Sequence, residues 1–334
     1  SPVAVGRFGV LAARSAQSLA GQFCSDPARA LVAGLAAHSV LPLHRRGTAG
    51  VALLLGALAH SVGWPVAAGG SQAIADALVA LLRSHGGTVV LDHTVEDLAE
   101  VGDFDAVLAD ITPSALDRIA GGRLSSRQRR PLLRFPHGPG VCKVDWLLDG
   151  PIPWSDQRLA SVGTVHLGGT FEQIAFAEQQ VASGVHPNWP YVLLAQQSLF
   201  DPSRVRAPQP DGRQVVWAYC HVPSGSDEDM SSRIAAVVED SAPGFTSRIV
   251  ASTVHTAVDM QRHNANYTGG DITGGVADLR GLLVRPYASA KPWRTPIPGV
   301  YLCSASTPPG AGVHGMCGLH AARTAMADLA DPAR

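Results

Sequence analysis

Through residues 1 to 62 the apolar positions recur at helical spacing, with alanine-rich runs such as Pro27-Ala28-Arg29-Ala30-Leu31-Val32-Ala33-Gly34-Leu35 and no strand-like alternation. Gly63-Trp64-Pro65 closes that block. The next unit has the clearest local pattern in the chain: Ser71 stands at an N-cap position, Ile74, Ala77, Leu78, Leu81 and Leu82 share one helical face, and Gly86-Gly87 provides the stop. This predicts an amphipathic helix. Thr88 to Leu91 then predicts a short strand, His93 to Leu98 a second, and Asp105 to Ile111 a buried third, closed by Thr112-Pro113.

From about residue 116 to 295 the pattern changes to strands with alternating faces, as in Val141 to Leu148 and Gln214 to Val222, with helices near 172 to 183 and 230 to 241. Half-buried strands of this kind pair into an antiparallel or mixed sheet. The α/β style returns at the end, with Gly299 to Cys303 as a strand, a glycine-rich loop from Ser304 to Gly315, and a helix from about Met316 to Leu329. The expected fold class is therefore α/β plus α+β. One cofactor domain, from residues 65–115 and 296–334, is interleaved with a domain of mixed or antiparallel sheet and helices, from 1–64 and 116–295.

A chain of 334 residues has room for two domains. Charged residues make up only 16% against 46% hydrophobic, so much surface is buried or faces something apolar. The net charge of -1 comes from 26 basic and 27 acidic side chains without long blocks, which excludes the basic footprint of a nucleic-acid binder. Cys24, Cys142, Cys220, Cys303 and Cys317 form no C-x-x-C pair, which argues against a disulfide framework or a zinc site and fits a reducing, cytoplasmic setting. The first residues do not read as a signal peptide. From Gly47 to Ala75 no residue is formally charged, yet Gly50, Gly56, His60, Ser61 and Gly63-Trp64-Pro65 interrupt the apolar run before the roughly 20 residues of a spanning helix. The stretch is expected to wall an apolar cavity or to form a peripheral, membrane-facing patch.

Gly310-Ala311-Gly312-Val313-His314-Gly315 is a G-x-G-x-x-G between a strand and a helix. A complete dinucleotide unit also needs a second strand and an acidic residue about 20 positions on, whereas the 19 residues after Gly315 are helical. What remains is a loop whose backbone a ligand can approach closely, at a helix start suited to an electron-rich ring edge or a phosphate. His314 lies inside it and is the candidate catalytic side chain, the alternative being a hydrogen bond to neighbouring backbone. Gly69-Gly70-Ser71-Gln72-Ala73 lacks the last glycine and the preceding strand of a nucleophile elbow. The histidines show no H-x-x-x-H or H-x-H pair and Asp227-Glu228-Asp229 reads as a solvated turn, so no metal site is expected. Trp146, Trp217 and Tyr219 are candidates to line an apolar pocket, within a set of aromatics that otherwise reads as core.

The chain resembles the phytoene desaturase-like flavoproteins of the wider amine-oxidase-type group. The resemblance is carried by Gly63-Trp64-Pro65 with Gly69-Gly70-Ser71, Lys143-Val144-Asp145-Trp146, Thr164 to Thr170, Trp217-Ala218-Tyr219, Asn264 to Gly275, and above all Tyr301 to Met316. It is closest to a branch of poorly characterised NAD(P)/FAD-dependent oxidoreductases. The resemblance implies FAD, with Gly312, Val313, His314, Gly315 and Met316 beside its ring. It further implies that Gly69, Gly70 and Val95 lie toward the adenosine side, and that Ser304 stands where many relatives place an acidic residue for the ribityl chain. Residues 1 to 60 do not match the family's opening pyrophosphate-binding fingerprint, so the chain is expected to correspond to the C-terminal part, with FAD absent or weakly bound to it alone. An N-terminal fragment of the same protein, or a second copy, is the expected partner. The implied activity is a dehydrogenase, desaturase or isomerase type of FAD-dependent oxidoreduction on an apolar small molecule. The alternative is a non-catalytic hydrophobic-ligand-binding or assembly module.

Overall fold

Four helices open the chain, α1 (Pro2–Ala12), α2 (Ala16–Ala20), α3 (Asp26–Ala37) and α4 (Thr48–Ser61). The computed structural model describes residues 2–205 and 212–331. Small side chains let these helices approach closely: Ala16, Ala33, Ala36 and Ala49 are fully buried, and the bundle shares its core with Phe171, Ile174 and Tyr191. Next comes α5 (Gln72–Ser84), as the periodicity requires, but Ser71 makes no side-chain cap bond and no α5 residue is buried. Its apolar face of Ile74, Leu78, Leu81 and Leu82 is 42–62% exposed.

The two strands expected at 88–91 and 93–98 do not form. A strand needs a hydrogen-bonded neighbour, and among the described residues none runs beside this segment; Val90 and Leu91 stay exposed. Only β1 (Val107–Ala109) is a strand here. It is followed by α6 (Pro113–Ile119), capped by the Thr112 hydroxyl accepting from Ala115 N–H, and by α7 (Ser126–Leu133).

The middle of the chain supplies β2 (Gly140–Leu148), β3 (Thr164–Leu167), α8 (Phe171–Ala182), β4 (Val192–Ala195), β5 (Gln214–Val222), α9 (Ser231–Ser241), β6 (Ile249–His255), α10 (Ala257–His263) and α11 (Leu279–Leu283). Its strands form a five-stranded antiparallel sheet in the order β3-β4-β5-β2-β6. Side chains alternate along each strand. One face, with Cys142, Val144, Val216 and Ala218, is sealed by Ile234 and Val238 of α9. The register places Lys143, Asp145, Trp217, Tyr219, His221, Thr164 and His166 on the other face, toward the helical bundle.

At the bundle interface His38 Nε2 lies 2.9 Å from His166 Nε2, and His221 Nδ1 donates to the Glu178 carboxylate at 2.9 Å. Tyr191 OH donates to Gly34 O at 3.0 Å, its ring stacked on His221. Burial, with repulsion from His166 and His221, lowers the His38 pKa to about 3, and burial lowers His166 to about 4. Both are neutral near pH 7.

Late in the chain β7 (Val300–Leu302) pairs in parallel with β1, Val107 opposite Val300 and Ala109 opposite Leu302, before α12 (Met316–Leu329) ends the fold. On its far side β7 is bridged at Arg294 and Tyr301. The outer edge of β1 has no pairing partner among the described residues, and Phe104 and Leu108 beside it are exposed.

Candidate functional site

The carboxyl ends of two parallel strands mark the first cavity, the position where ligands sit in open α/β sheets. β1 leads into Asp110 and β7 into Cys303 and Ser304. These residues line a 390 Å³ cavity with Asn264, Asn266, Tyr267, Gly310, Gly312, His314, Gly315, Cys317 and Gly318. Asn266 fixes its floor, donating from Nδ2 to Asp110 O at 2.9 Å and accepting Thr112 N–H at Oδ1. Partial burial raises the pKa of Asp110, which is exposed at the mouth but crowded on its inner side.

The glycine loop is held from beneath. Arg285 is buried and donates from Nη2 to Gly275 O at 2.7 Å, and its Nη1 lies 2.7 Å from where a Cβ on Gly310 would sit. With φ +103° as well, position 310 excludes any larger residue. Gly315 and Gly318, at the start of α12, have nothing within 4 Å of a would-be Cβ, so the cavity occupies the space side chains would fill. The sequence-predicted residues Gly312, His314, Gly315 and Ser304 all border this cavity. The Ser304 hydroxyl donates to Ile111 O at 2.8 Å, tying the loop to the end of β1. His314 Nδ1 accepts the N–H of Met316, the first residue of α12, at 3.0 Å, the hydrogen bond to neighbouring backbone that was its alternative role. Met316 takes part through that bond, half-buried behind the wall.

A second cavity, of 1010 Å³, is bordered by the same loop. Val313, 91% exposed, projects from the same glycine loop and lines it with Trp64, Pro65, Val66, Ile74, Leu78, Phe200 and Trp217. Much of its wall comes from the uncharged stretch Gly47 to Ala75, as the pattern anticipated. Trp217 is in place, stacked on Tyr219 at 6.1 Å; Tyr219 stands behind it against His221, its hydroxyl pKa pushed up by burial.

One expectation is corrected. Trp146 lies on the opposite face of the sheet, 3% exposed and edge-on to Phe245, because the pleat points even-numbered β2 residues into the core. In the segment expected toward the adenosine side, Asp201 Oδ2 accepts Gly69 N–H at 2.9 Å and Arg204 donates to Ala67 O at 2.7 Å, which hold Gly69 and Gly70 beside the turns that precede β5. Val95, of the same expectation, is half-buried in irregular chain and lines neither cavity. Sequence reasoning missed Asp110, Asn264, Asn266 and Gly318; the available signal was that Asp110 directly follows an apolar strand.

No protein-family model matches the chain. Over 100 residues it is 33% identical to the mouse pyridine nucleotide-disulfide oxidoreductase domain-containing protein 2, a match taking in 30% of this chain and 17% of that protein. The rat protein of the same name matches similarly, at 32%. The chain thus spans about a sixth of the length of these relatives. Among solved structures, an oxidoreductase from Methanosarcina mazei superposes with a TM-score of 0.55 at 13% identity, covering 94% of this chain and 68% of that one. Putrescine oxidase bound to putrescine gives 0.51 at 16%, covering 96% and 69%, and cyclohexylamine oxidase from Brevibacterium oxydans IH-35A gives 0.50 at 12%, covering 96% and 68%. The fold is shared with oxidoreductases. At these identities the likeness concerns the fold, and in it the mixed helix and sheet architecture expected from the sequence is found.

Proposed function

We propose that the protein is a flavin-dependent oxidoreductase, with FAD as the flavin, acting on an apolar small molecule. The observation that carries this reading is the single loop, Gly310 to Gly315, that borders both cavities. A ring in the first and an apolar ligand in the second would meet across Val313. The first cavity fits such a ring in kind: glycine backbone and small side chains from the loop and from Ser304 to Ser306 make part of its wall, and Gly315 and Gly318 leave its space open. When bound, a flavin supplies the hydride or electron-pair chemistry.

The chain's own residues would bind and orient. Gly310, Gly312 and Gly315 offer backbone that a planar group can approach, Asn264, Asn266 and Tyr267 offer polar contacts at the opposite side, and Trp64, Trp217 and Phe200 exclude water from the apolar side. In this reading residues 65–115 and 296–334 form the cofactor domain and 1–64 with 116–295 the substrate domain. A further strand-bearing segment, from the same protein or a second copy, would pair with the free edge of β1 and complete the dinucleotide site. Without it FAD is held weakly.

The reading is tested by loading the protein with excess FAD and mixing it anaerobically with a panel of unsaturated hydrocarbons, long-chain alcohols and amines. Bleaching of the flavin's visible absorbance, restored by air, is expected for at least one. If compounds bind in the cavity and none bleaches the flavin, the protein is a binding module.

A further inference from the structure

The apolar cavity has one polar corner. Two short 3₁₀ turns, Gln197–Leu199 and Pro202–Arg204, place Gln197, Phe200 and Arg204 side by side on its wall. Among the described residues, Arg204 is the one charged side chain lining the cavity. Its position is fixed: Nε donates to Asp201 Oδ2 at 3.2 Å and Nη2 to Ala67 O at 2.7 Å. The side chain is 16% exposed, and Nη1 has no partner among the described residues. Gln197 lines the wall beside it, with its amide Oε1 buried and unpartnered among the described residues. Thr164 adds a hydroxyl to the lining.

Donors therefore prevail at this corner, and their complement is a negatively charged acceptor. Asp201 meets the Arg204 guanidinium through Nε alone, at 3.2 Å, which leaves Nη1 and part of the charge for a singly charged head group rather than a doubly charged phosphate. The volume of 1010 Å³ is at the upper end of the roughly 300–1000 Å³ usual for small-molecule sites, and its remaining wall of Trp64, Ile74, Leu78, Trp217 and Val313 suits a long hydrocarbon body. We infer that the cavity takes a long-chain carboxylate, its head group on Arg204 and Gln197. This rests on the second cavity being the substrate site.

Displacement of a fluorescent apolar dye from the 334-residue protein by hexadecanoate and by hexadecanol separates the two claims. Hexadecanoate is expected to bind at least about tenfold more tightly, a preference that shrinks to about threefold or less in Arg204→Gln. Gln197→Leu, which leaves the clamp among Asp201, Arg204 and Ala67 untouched, is expected to weaken hexadecanoate but not hexadecanol. Equal affinity for acid and alcohol would overturn the head-group assignment while leaving the cavity as a substrate site. If neither displaces the dye, the substrate-site reading itself falls. Binding of the protein to neutral phosphatidylcholine vesicles without displacement by hexadecanoate would make the patch a membrane surface and likewise overturn the inference.

Discussion

His314 Nδ1 accepts the N–H that opens α12, a structural bond that stands apart from any part in chemistry. His314→Ala removes this one exposed bond and should cost about 0.5–1.5 kcal/mol of stability, readable as a lower urea midpoint. The pair Glu178 and His221 is buried, and removing one partner strands the other. Glu178→Leu alone should destabilise by about 3–5 kcal/mol, whereas Glu178→Leu with His221→Leu should recover much of that loss. Equal losses in the single and double variants would show that the cost does not come from stranding His221. The neutral histidines His38 and His166 set a pH dependence. Their folded pKa values, about 3 and about 4, lie below the unfolded value of ~6.5. The unfolded chain therefore takes up protons first, so their stabilising contribution is present above about pH 6.5 and is lost as pH falls toward 4 and below, by up to about 1.4 kcal/mol per pH unit for each. Urea midpoints at pH 7 and pH 5 should diverge less in His38→Gln than in the wild type.

At the scale of elements, α12 was legible almost to the residue because a glycine loop, a strong alanine-rich pattern and a short preceding strand all agree. The β2 and β5 strands were legible for the same reason, their alternation matching the observed pleat. Periodicity could not say on which face of the sheet the core lies, and Trp146 was therefore placed on the wrong one. Nor could it reveal that the segment after α5 lacks a strand neighbour, since pairing is a property of distant chain. Gly318 offers a test at this scale. It sits inside α12 where alanine is preferred by up to about 1 kcal/mol, yet its missing Cβ leaves cavity space. Gly318→Ala should raise stability and tolerate a flavin, while Gly318→Leu should fold and fail to bind one.

For the whole molecule, the parallel pairing of Val107 to Ala109 with Val300 to Leu302 joins the segments that precede and follow the five-stranded sheet. The glycine loop was visible in sequence as a ligand-approach motif, but the second half of its site, Asp110 with Asn264 and Asn266, comes from two separate segments that no local pattern connects. The adjacency of that site to the apolar cavity is likewise a product of tertiary packing, with Gly312 and His314 lining the one and Val313 between them lining the other. The most direct test of this arrangement is the visible spectrum of FAD at saturating concentration with the protein, recorded before and after adding hexadecane. A shift of the flavin bands in the wild type, absent in Gly318→Leu, is the expected result. The spectrum of free flavin throughout, or a shift that persists in Gly318→Leu, would contradict the placement of the ring beside the glycine loop.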